Sequence, residues 1–225
     1  MKVLITFDLK STRILLFAIG IGLLSLLVSC GNNFGLKIGD QDVYAFGSEE
    51  PCNFITSNGF RVSWKSDPPV NIIITSSVPS EYDSEILKAA DIWNSVKGQQ
   101  LVHIYRDNSF KNDPGYDKVN AIYWMPDWDT DLSNQQARTS VRWDSSKLQD
   151  ADIRINAKNF TFFKEGDEST AGKVHLQSLV LHELGHAVGL VHIEETASVM
   201  QAYLKSQTIR NKPGAVDTSS LSCEY

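Results

Sequence analysis

The feature that most narrows what this chain can fold into is the eleven-residue string His182-Glu183-Leu184-Gly185-His186-Ala187-Val188-Gly189-Leu190-Val191-His192. His182 and His186 are four apart, so on a helix their rings share one face and can reach one ion at ~2.0–2.1 Å. Glu183 follows the first ligand, close enough to reach a water on that ion without ligating it. A straight helix would carry His192 away from the ion. Gly189 can take a left-handed conformation, end the helix in a sharp turn and bring His192 back as a third ligand. Three protein ligands leave the fourth position to water, which marks a catalytic rather than a structural zinc site. A helix with solvated histidines accounts for one His-x-x-x-His pair. It does not account for the glutamate, the glycine and the third histidine together, a coincidence on the order of 10⁻⁵ for such a composition.

The rest of the chain reads as strands and one further long helix. Phe60 to Trp64 alternates apolar and polar residues, and Val70 to Thr75 is a β-branched run expected as the central strand. Ile86, Leu87, Ala89, Ala90, Ile92, Trp93 and Val96 recur at helical spacing, with Ser80, Asp83 or Ser84 as candidate caps and Gly98 as the stop. Strands follow at 101–105, 119–124, 139–143 and 151–156, then the histidine helix over 176–188 and a coil over 205–225. This order predicts an α+β domain, a twisted mixed sheet of about five strands with two long helices on one face.

The amino terminus adds an address. Lys2, Lys10 and Arg13 precede a largely apolar run from Ile14 to Val28, too short for a membrane span and suited to a signal-peptide core. It closes on Leu27-Val28-Ser29-Cys30, which resembles the bacterial lipobox; an uncleaved anchor is the other reading. The division expected is a leader over 1–29, a polar tether over 30–50 and one domain over 51–225, with Cys30 lipidated and anchored to a membrane. Gly31 favours the outer membrane of a bacterial envelope, with the face undetermined. Cys52 and Cys223 remain, near the two ends of the domain, either as a disulfide in a permissive compartment or as two buried thiols. The net charge is −6; the leader holds three basic residues against Asp8, so the remainder stands at −8. With no Lys/Arg-rich run, nucleic acid is not the expected partner.

The zinc string matches the H-E-x-x-H-x-x-G-x-x-H signature of the metzincin metallopeptidases. Ser198-Val199-Met200, with Met200 eight residues after His192, resembles the methionine turn of the matrixins, the matrix-metalloproteinase family. Ala89-Ala90-Asp91-Ile92-Trp93-Asn94 is similar to the matrixin first helix and Ala151-Asp152-Ile153-Arg154-Ile155 to a matrixin strand, so the resemblance runs from about Val70 to Tyr203. It implies a metzincin-like zincin fold in which His182, His186 and His192 bind one catalytic Zn²⁺ and Met200 floors the site. Glu183 would then drive hydrolysis of peptide bonds by a zinc-bound water, on a protein or peptide substrate, in a monomer.

The chain also departs from the family. Cys52 lacks the surroundings of a prodomain latch, Ile193 stands where matrixins have serine, and His103 and His175 lack the neighbours of a structural zinc site. Tyr203, three residues past Met200, either lines the pocket for the side chain after the cut or is a packed surface tyrosine. Acidic loops at Asp113–Asp117 and Asp127–Asp131 could host Ca²⁺ but read as solvated loops. The competing functions are a membrane-anchored binding lipoprotein that keeps the metal site as structure, and an adhesin, for which the chain lacks a second large module.

Overall fold

The computed structural model describes residues 52–225 throughout and, before them, only the backbone of β1 (Leu24–Ser29), β2 (Leu36–Ile38) and β3 (Gln41–Val43). Cys30 and the remainder of the leader and tether lie outside the described residues.

The domain opens with a short hairpin, β4 (Thr56–Ser57) and β5 (Phe60–Arg61). The alternation over Phe60 to Trp64 does not extend as one strand. Val62 N–H turns back to Ile55 C=O (2.7 Å), while Ser63 bridges to Lys147. Four parallel strands follow: β6 (Val70–Thr75), β7 (Val102–Asp107), β8 (Asn120–Met125) and β10 (Lys147–Asn156). β9 (Ala137–Asp144) runs antiparallel beside β10. The order is β7-β6-β8-β10-β9, so β8 rather than β6 holds the middle of these five. The backbone of β1 lies antiparallel on the outer side of β9. β11 (Phe162–Phe163) and β12 (Val174–His175) pair separately.

Helix α1 (Asp83–Lys97) connects β6 to β7 and ends at Gly98. It has no side-chain cap. A single 3-10 turn over Ser80–Tyr82 runs straight into it, and Asp83 instead pairs with Arg106, whose guanidinium also donates to the carbonyls of Thr75 and Val78. Its buried face is Ile86, Ala89, Ala90 and Trp93, while Leu87 faces solvent. Helix α2 (Leu176–Ala187) is buried over its whole length, as expected of a helix apolar on nearly every side. It packs against β9, β10 and α1, and Trp93 Nε1–H donates to Leu181 C=O at 2.8 Å. The coil expected over 205–225 contains a third helix, α3 (Ala215–Leu221). Its Thr and Ser residues are weak helix formers. Tertiary bonds hold it: Asp217 fastens it to the segment before Met200, and a Cys52–Cys223 disulfide follows at its end.

Candidate metal centre

Everything at this centre follows from where α2 stops. Val188 is its last, half-helical residue, and Gly189 then takes φ +104°. Any Cβ there would stand 2.4 Å from Val62 O, so both the backbone conformation and the space exclude a side chain. Gly189 N–H returns to His186 C=O and Leu190 N–H to Gly185 C=O, both at 2.9 Å. This bend brings His192 to the face that already carries His182 and His186. Gly189→Ala should therefore weaken zinc binding at least about tenfold, measured by competition against a chromophoric chelator. Unchanged affinity would mean the bend does not set the third ligand.

The three Nε2 atoms form a triangle with sides of 2.9, 3.1 and 3.2 Å. His182 Nδ1 lies 2.8 Å from Val199 O and His186 Nδ1 lies 2.8 Å from Leu190 O. A carbonyl only accepts, so each Nδ1 carries the proton and each Nε2 presents a lone pair. Burial pushes His182 down to about 4 and holds His186 and His192 well below the usual histidine range, so the rings are neutral at neutral pH. Two lone pairs facing each other at 2.9 Å repel unless a cation lies between them. The triangle is close to the ~3.3 Å that separates ligand atoms of a tetrahedral ion with bonds of 2.0–2.1 Å. The residues thus fit zinc. Among the described residues, no other group of three or more His, Cys, Asp or Glu side chains brings its donor atoms together in this way.

Glu183, which follows His182 on α2, is buried, and Thr139 Oγ1–H on β9 donates to its Oε2 at 2.5 Å. Met200 lies fully buried below, and Gly185 makes room for it, since a Cβ at 185 would meet its sulfur at 2.3 Å. The turn into Met200 is held from α3. Asp217 accepts from Ser198 Oγ (2.5 Å), Val199 N–H (2.9 Å) and Gly214 N–H (2.7 Å). A small pocket opens next to His182 between Leu179, Val199, Leu204 and Arg210. Arg210 donates to the carbonyls of Gln201 and Tyr203 and so fixes the wall of that pocket. Tyr203 itself is 37% exposed and is not among the lining residues. His103 lies exposed on β7 against Gln100, and His175 is the residue before α2, bonded to Ser178.

Sequence reasoning singled out the histidines, which the fold brings together, along with Glu183, Gly189 and Met200, but did not single out Thr139, Gly185 and Asp217 as their supports. Thr139 and Asp217 act across 44 and 18–19 positions, a distance no local pattern reports. Gly185 could have been found, because a glycine inside an otherwise apolar helix usually marks a close approach.

Three neutral imidazoles converging at the end of a buried helix form a donor set compatible with a single metal ion. The sequence profile of the Matrixin peptidase family matches residues 76–222, well over half of the 225-residue chain, and the chain belongs to that family. It is by class a zinc metallopeptidase, and its mixed sheet with helices is the α+β arrangement of that family. A comparison with curated proteins gives no match.

Proposed function

We propose that this domain is a zinc-dependent endopeptidase in which Glu183 acts as general base on water held at the histidine triangle. The observation that carries the reading is the pair of lone pairs at His182 and His186, completed by His192 and flanked by Glu183. Zinc, when bound, supplies a polarised scissile carbonyl and a water acidified to around pKa 7. Glu183 takes the water's proton and returns it to the leaving amine. The hydroxyl of Thr139 keeps the carboxylate aimed. Substrate lies extended and antiparallel along the edge of β9, adding main-chain hydrogen bonds. That this edge accepts a strand is supported by β1, whose backbone pairs there from Leu24 opposite Trp143 to Ser29 opposite Arg138. β1 falls in the segment read as a leader, and cleavage before Cys30 would free the edge. The side chain after the cut enters the pocket beside His182. Cys30 then anchors a monomeric domain in the bacterial envelope, at the outer membrane.

The purified protein is expected to bind one zinc and to cleave casein and a peptide library. A zinc-chelating hydroxamate should stop cleavage. Stoichiometric zinc with no cleavage of any library member would count against the peptidase reading and leave a metal-stabilised binding protein.

A further inference from the structure

The inner face of β9 serves the zinc centre, but its outer face carries charge that the mechanism does not use. Thr139 points at α2, so Arg138, Ser140 and Arg142 point the other way. Arg154 on β10 is the Cα partner of Arg138, and its guanidinium donates to Ser140 Oγ at 2.6 Å. Arg138 is only 8% exposed, and neither its Nε nor that of Arg154 has a hydrogen-bond partner. Burial first, and then the Arg154 charge, draws the Arg138 guanidinium down to about 10, which leaves it charged at neutral pH. Asp129 and Glu183 act on it only at a distance. Like charges directly opposed on a ladder are unfavourable, and a buried cation lacking a partner is more so. Among the described residues no carboxylate is bonded to Arg138.

We propose that Arg138, backed by Arg154, binds a carboxylate of the peptide substrate just past the scissile bond, so that an acidic second residue after the cut is preferred. This rests on the peptidase reading and on β9 as the substrate edge. The register follows from geometry. Thr139 touches Glu183, so the scissile bond lies at its level. An antiparallel peptide runs against β9 in descending register, so the first residue after the cut pairs with Thr139 and the second with Arg138. Side chains alternate: the first after the cut points to the inner face and its pocket, and the second points to the face of Arg138. The planar fork of arginine suits a carboxylate. The free terminal carboxylate of a peptide ending at that residue offers the same chemistry.

The test uses the purified, zinc-loaded protein and matched peptides with Glu or Gln second after the cut. One series extends beyond that residue, and the other ends there as free acid or amide. The wild type is expected to favour the carboxylate member of a pair by about tenfold or more in kcat/KM. A preference confined to Glu over Gln assigns a side chain, and one confined to acid over amide assigns the chain terminus; both support the site. Arg138→Gln should bring the ratio close to one, and Arg138→Lys should keep part of it, with zinc content and Tm recorded for each. Equal rates within every pair for the wild type would overturn the proposal. Cleavage of no peptide at all would instead remove the peptidase reading on which it stands.

Discussion

Glu183→Ala is expected to retain its zinc and lose peptide hydrolysis by about 10²–10⁴-fold, the usual share of a general base. The two halves of this expectation come from different atoms. In the proposed site zinc would be held by three imidazoles, two of them fixed in the right tautomer by the carbonyls of Val199 and Leu190, and none of those bonds involves Glu183. Metal content measured by atomic absorption should therefore equal that of the wild type. Glu183 is fully buried, and its carboxylate is held by Thr139. Truncation to alanine removes the group that accepts the water's proton and leaves the Thr139 hydroxyl with only the more distant Glu183 carbonyl, at 3.2 Å. Glu183→Gln keeps the shape and the partner of Thr139 but not the basicity. It should be nearly as inactive, with smaller effects on Tm. If either variant cleaves a broad protein substrate at the wild-type rate with its zinc in place, Glu183 is not the base.

How much of this centre could be read from sequence depended on how locally each part is encoded. The histidines, Glu183 and Gly189 fall within eleven residues, and one helical turn followed by the bend at Gly189 brings the histidines together. The strands were legible as β-branched or alternating runs, though Val70 to Thr75 was placed one strand too central, because hydrophobicity reports burial and not sheet order. The supports were not legible. Thr139 reads as one position of an alternating strand until the sheet brings β9 over α2. Helix α3 carries Thr and Ser in a short run whose propensity is poor, so its existence depends on the turn before Met200 to which Asp217 is bonded. The expected cap of α1 failed for a related reason, since Arg106, 23 positions on, captures Asp83.

Loss of the Cys52–Cys223 bridge is expected to lower stability by about 3–5 kcal/mol and Tm by roughly 10–15 °C for a domain of this size. The bond closes a separation of 171 positions, which places it at the upper end of the loop-entropy scale. It also lies where the centre is assembled. Asn53, next to Cys52, donates its side-chain amide N–H to Val191 C=O (2.5 Å) and its backbone carbonyl accepts from Val191 N–H (3.1 Å), while Ile55 N–H reaches Gly189 C=O (2.9 Å). These bonds brace the bend that delivers His192. At the other end of the bridge, α3 holds the Met200 turn through Asp217 and holds Asn53 N–H through Ser220 Oγ. Unlinking the two braces should thus weaken zinc binding as well as global stability, and added zinc should recover part of the lost Tm, because an ion that binds only the folded state stabilises it by mass action. The measurement is thermal unfolding of the Cys52→Ser/Cys223→Ser double variant across a zinc titration, beside the oxidised wild type. A fall of less than about 3 °C in the absence of zinc would mean that the hydrogen bonds of Asn53 and Asp217 suffice without the bridge. A large fall that zinc does not reduce would mean that the bridge stabilises the domain independently of the metal centre.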